Sequence, residues 1–246
     1  MVRDKLTTSQ HCSIASLWFA YNVQWSALIP VVWPAQVAAI AGETHKELVN
    51  GIALGVAAAV ALATAPIAGA LSDRSTNPRG RRRGFLVFGI ALNIVTLGAL
   101  AVVGTRAGVA RFLVALVALE LTCNWWGGPY AGLIPDVVSA RDQGRASGYM
   151  MLMTVAGAVV GTGAAGPLLS WGGYWTVYLF LIFILLLCGV ITLAGTPRVQ
   201  RELGNPTLDR KALFRNFLPK PGVHQDFYIV FVTRAFKFTS GIPRAL

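Results

Sequence analysis

Apolar residues along this chain come in long blocks, and charged residues gather in the gaps between them. From Leu6 to Gly42 there is no Asp, Glu, Lys or Arg. A helix needs roughly 20 mostly apolar residues to cross the hydrocarbon core of a bilayer, and this block predicts one spanning helix at about 13–41. Leu48–Ser72, Gly84–Thr105 and Phe112–Pro135 predict three more. Ala146–Pro197 is uncharged over 52 residues, too long for one crossing. Pro167 and then Trp171-Gly172-Gly173 mark a hairpin turn in its middle, because Pro and Gly punctuate regular structure. The pattern predicts an all-α membrane protein with six complete spans over 1–197. Residues 198–226 are polar, contain Pro206, Pro219 and Pro221, and read as a linker. Residues 227–246 begin like a seventh span. Arg234 and Lys237 each cost about 2.5–3.5 kcal/mol at a helix centre, and Pro243 and Arg244 come after them. This reads as the incomplete start of a seventh helix.

Charge changes the picture in one respect. Charged residues are 13% of the chain, against about 25% in an ordinary soluble domain. The net charge of +11 suits nucleic acid only on a soluble fold with a basic face, and the uncharged runs leave none. In a membrane protein Lys and Arg set orientation instead. With the N-terminus inside, the tail, the 73–83 and 136–145 loops and the linker hold fifteen of them. Only Lys46, Arg106 and Arg111 then lie outside. The expectation is a cytoplasmic N-terminus in a plasma or inner membrane. The uncharged run after Lys5 far exceeds the apolar core of a cleaved signal peptide. Cys12, Cys123 and Cys188 are scattered in apolar contexts and read as small buried hydrophobes. No metal, cofactor or enzyme is expected: there is no HExxH or GxSxG, and His11, His45 and His224 sit at span edges or in loops.

The second gap reads GALSDRSTNPRGRRRG, residues 69–84. Orientation explains its arginines but not Asp73. An acid at a helix C-terminus faces the negative end of the macrodipole and needs cations nearby. Arg74, Arg79 and Arg81–Arg83 are available. Gly69-x-Leu71-Ser72-Asp73-Arg74 with Gly80-Arg81-Arg82 beyond it resembles the signature loop of the major facilitator superfamily. Five residues, Ser75–Arg79, stand where the common pattern has one; that longer form is similar to the sucrose–proton symporter and glycoside transporter branch. Residues 119–150, with Pro135-Asp136 and Arg145-Ala146-Ser147-Gly148, resemble the family's fourth helix, next loop and fifth helix. The resemblance implies the N-terminal six-helix half of a twelve-helix fold, built from two inverted three-helix repeats. It implies that Gly69, Asp73, Arg74, Gly80, Arg81 and Arg82 form a conformational latch, with Asp136 and Arg145 in the helix 4–5 loop. It also implies a missing C-terminal six-helix half.

Glu120 is the sole acid inside a predicted span. A charge there costs several kcal/mol, so the residue must face a cavity, find a partner or carry a proton. Asn124 lies one turn on, on the same face. Leu119-Glu120-Leu121, Asn124 and Gly128-Pro129 resemble the sucrose–proton symporter segment whose acid is assigned to proton coupling. The other reading is a structural carboxylate paired with Arg111 or Arg234. In the first span Trp18, Asn22, Trp25, Ile29, Trp33 and Gln36 recur at steps of 4, 3, 4, 4 and 3 and fall on one helical face. Trp faces stack on sugar C–H surfaces and amides bond hydroxyls, so Asn22, Trp25, Gln36 and Asn124 are candidates for a solute cavity; Trp18 and Trp33 also suit interface anchors. Gly157 and Gly161 read as a close-packing pair. Thr162 and Ser170 stand where the family's antiporter signature has glycine, which favours symport or uniport.

These residues predict a proton-coupled transporter of a small polar solute, a sugar or glycoside, working by alternating access in a lipid bilayer. The alternative is a non-transporting fragment, or a half-transporter that needs a partner half.

Overall fold

A computed structural model describes residues 6–75, 82–103, 108–139 and 142–196, all within one compact unit, Met1–Gln200. The predicted linker and seventh-helix segment lie outside the described residues. Among the described residues every regular element is a helix.

The first crossing is built from three pieces laid end to end: α1 (Thr8–Ala27), a π-helical turn (Leu28–Val32) and α2 (Trp33–Ala41). Thr7 opens it with a capping box. The Gln10 N–H donates to Thr7 Oγ1 at 3.3 Å, and the Thr7 N–H donates to Gln10 Oε1 at 2.9 Å, which satisfies two otherwise orphan donors. The π turn holds Pro30, which has no N–H to give to a regular ladder. Then come α3 (Lys46–Arg74), α4 (Arg83–Val103), α5 (Val109–Val137) and α6 (Gln143–Gly195).

At 1.5 Å per residue a straight α6 would be about 80 Å long, against a hydrocarbon core of about 30 Å. It is folded at Gly172 and Gly173; Gly173 has φ 69° and ψ −164°, a region open essentially to glycine. Pro167 is carried inside the first arm and does not end it. The contacts with α1 establish the hairpin. On the first arm, 143–171, Tyr149 stacks on His11, Thr154 meets Trp18 and Gly161 meets Val23. On the second arm, 174–195, Tyr178 reaches Gln36 while Thr192 reaches Ser13. One arm therefore runs parallel to the first crossing and the other antiparallel, which gives six crossings from the five long apolar helices among the described residues.

Between helices in lipid there is little hydrophobic drive, so small residues that let backbones approach do much of the work. A Cβ on Gly157 would lie 2.7 Å from the Phe19 carbonyl oxygen, and one on Gly161 would collide with that of Val23. The interior is filled by Leu17, Val23, Leu28, Leu116, Leu119 and Trp126. Val95, Val102, Val114 and Val159 point outward and are exposed, as a bilayer-facing surface requires.

Candidate functional site

At the end of the bundle that carries the N-terminus, three helix ends meet on one guanidinium. Asp73 comes from the last turn of α3, Arg82 immediately precedes α4, and Asp136 comes from the last turn of α5. Arg82 is 8% exposed. Its Nη2 pairs with Asp73 Oδ1 at 2.6 Å and its Nε donates to Asp136 Oδ2 at 2.8 Å. Its Nη1 donates to Ser72 Oγ at 3.3 Å and to the Pro129 carbonyl at 3.4 Å. The planar, five-donor fork of arginine makes such shared pairing possible. Gly132 floors the seat: a Cβ there would collide with the guanidinium.

Of the latch residues expected from the sequence, the structure brings Asp73 and Arg82 together with Asp136. Arg74 is exposed. Gly80 and Arg81 lie outside the described residues. Arg145 is exposed beside a shallow cavity lined by Gly148, Tyr149 and Leu152. A Cβ on Gly69 would make only an ordinary 3.9 Å contact with Gly128. The tight approach belongs to Gly128, where a Cβ would run into the Ala65 carbonyl oxygen. Gly128 and Gly132 stand one turn apart on α5, a small-residue spacing that the sequence displays without showing what it seats.

The second cluster lies mid-bundle. Glu120 is 5% exposed. The Asn124 Nδ2 donates to its Oε2 at 2.9 Å and to its main-chain carbonyl at 2.9 Å. Among the described residues no cation pairs with Glu120: Arg111 is exposed near the start of α5, and Arg234 lies outside them. Tyr21 and Cys123 stand within electrostatic reach of the carboxyl. Tyr21 was missed by sequence reasoning, because it lies one position off the Trp-rich face. It anchors an aromatic seam, stacked on Trp18 at 4.9 Å and edge-on to Trp126 at 5.8 Å. Trp25 joins that seam, 6.0 Å from Tyr21.

The single first-span face is corrected by the fold. A π turn takes i to i+5 hydrogen bonds, so the residues after it are rotated relative to a regular helix. Ile29 is 42% exposed while Trp33 is 2% and Gln36 0% exposed. Gln36 is buried inside the bundle, its Oε1 accepting from the Tyr178 hydroxyl at 2.7 Å, while Trp33, one turn before it, meets Trp25 edge-on at 5.8 Å. Asn22 is half-buried; its Nδ2 donates to the Trp18 carbonyl at 2.8 Å, and its Cβ faces Gly157 on the first arm of α6. Trp18 is tied to that arm as well, donating through Nε1 to Thr154 Oγ1 at 2.7 Å. Chemically, the mid-bundle cluster offers a carboxyl held by a neutral amide in a place where a charge is costly.

The family model described as Major Facilitator Superfamily matches residues 14–242. A sucrose transport protein of Arabidopsis thaliana is 30% identical over 131 residues, which cover 47% of this chain and 25% of that protein. The matched stretch thus spans about a quarter of that relative's length. Six apolar crossings, a helix-end ion cluster in the signature loop and a family match over most of the chain agree: this is an integral membrane protein, and it belongs to the Major Facilitator Superfamily.

Proposed function

We propose that the chain forms one bundle of a proton-coupled symporter for a small polar solute, a sugar or glycoside. The observation that carries this reading is Glu120, a mid-span carboxyl bonded to Asn124 and without a cation partner among the described residues. Such a group is a functional-site candidate because its charged form is expensive in the bilayer. Tyr21, Trp25 and Asn124 supply the ring faces and amide that a polyhydroxyl solute needs. The likeness to a sucrose transport protein supports a sugar as the first solute to try. In this reading a second six-helix bundle faces the first and completes the cavity. The N-terminus and the 73–83 loop lie on the cytoplasmic side, where the Asp73–Arg82–Asp136 cluster holds one state of an alternating-access cycle. Transport, not enzymatic turnover, is the activity.

The test is Glu120→Gln in membrane vesicles with an imposed proton gradient and radiolabelled sucrose. Gradient-driven accumulation is expected to fall at least tenfold while sucrose exchange without a gradient persists. Driven accumulation at the wild-type level would overturn the coupling role.

A further inference from the structure

Three residues from three helices meet at mid-depth: Gln24 near the centre of the first crossing, Asn93 near the centre of α4 and Cys123 near the centre of α5. The Gln24 Nε2 donates to Cys123 Sγ at 3.7 Å, and the Asn93 amide and Trp25 indole also approach that sulfur without reaching the geometry of a hydrogen bond to it. Asn93 is 0% exposed, yet neither its Oδ1 nor its Nδ2 has a protein hydrogen-bond partner; the Trp25 Nε1 is likewise buried and unpartnered. Leaving such groups unpaired is costly, and at this depth neither lipid nor bulk solvent can pair them.

We propose that Gln24, Trp25, Asn93 and Cys123 enclose a bound-water site in the middle of the bundle. A buried water needs two to four polar partners. Asn93 offers an acceptor and a donor, Trp25 a second donor and Cys123 a weak donor and acceptor. Water alone suits this mixture. The N–H donors of Trp25 and Asn93 oppose a cation, and the nearby Glu120 opposes an anion. The site places exchangeable protons about one helical turn from Glu120 along α5.

Radiolytic hydroxyl labelling of the full chain in lipid nanodiscs, read by mass spectrometry, tests this, because a bound water generates the radical beside the residues it touches. Cys188 is the internal control: it has the same chemistry and is also buried, at 5% exposure against 0% for Cys123. Cys123 is expected to label at least threefold faster than Cys188. Asn93→Leu is expected to bring Cys123 down to the Cys188 rate, and Asn93→Ser, which puts a hydroxyl in place of the amide, to retain most of the excess. Equal rates for the two cysteines in the unmodified protein overturn the proposal whether or not the variants fold. An excess that survives Asn93→Leu overturns it too.

Discussion

Arg82 shares one guanidinium between Asp73 and Asp136, so its replacement removes the cation that joins two converging helix ends. Removing one member of a buried ion pair costs about 3–5 kcal/mol; Asp73 is 53% exposed, so the lower end applies. Arg82→Ala is expected to lower stability by about 3 kcal/mol, read as a drop in melting temperature in detergent. Arg82→Lys should recover only part of that loss, since a point-like ammonium cannot reproduce the fork. Gly132→Ala reaches the same cluster from below and should shift melting in the same direction with no change of charge. A second residue-scale pair is Gln36 with Tyr178. Gln36→Leu strands a buried hydroxyl at a cost of about 1–3 kcal/mol. Tyr178→Phe removes that hydroxyl, so the double variant is expected to melt above the sum of the single losses. Strict additivity in that cycle would deny the bond its role. The sequence already offered Arg82 among the cations for Asp73, but not the distant partners: Asp136 lies 54 positions from Arg82 and Tyr178 lies 142 from Gln36.

Among the elements, the π turn at Leu28–Val32 decides which way α2 faces. Deleting Ile29, which is exposed, should let the turn relax to a regular α-helix. A π turn holds about one residue more than an α turn, so removing one residue as the turn relaxes leaves the rest of the crossing facing as before. Trp33 and Gln36 should stay in the core, and the coupling between Gln36 and Tyr178 should persist in the same double-variant cycle. Loss of that coupling after the deletion would show that the turn does not act as a single extra residue. The α3–α5 crossing depends on Gly128 in a different way. An added methyl there meets the backbone of Ala65, which cannot swing aside as the Arg82 side chain can. Gly128→Ala should therefore destabilise through overpacking by about 1–3 kcal/mol, whereas Gly69→Ala, with only ordinary contacts, should be close to neutral. A comparison of their melting temperatures checks the order. The sequence marks both residues as glycines near a motif; the crossing geometry separates them.

For the whole molecule, the proposed orientation has a direct check. Thr44 is exposed in the turn between α2 and α3, and Ser139 lies just beyond α5. With Cys12 replaced by serine, Thr44→Cys should react with a membrane-impermeant maleimide on intact cells, and Ser139→Cys only after permeabilisation. The reverse pattern would invert the topology. The number of crossings and the hairpin at Trp171-Gly172-Gly173 were determined by the sequence itself. The reason is local: transfer of about 20 apolar residues into hydrocarbon is favourable whatever surrounds them, and Gly173 adopts a backbone angle that other residues avoid. The cost of a mid-span charge picked out Glu120 in the same local way, and helical spacing then pointed to Asn124. Tertiary structure alone decided that Asp136 completes the Arg82 cluster, that Gln36 turns inward and that Tyr21 packs between Trp18 and Trp126. It also decided that Gln24, Asn93 and Cys123 converge. Those outcomes depend on how each helix is rotated about its axis and how closely its neighbour approaches, which are properties of packed pairs rather than of any one stretch of chain.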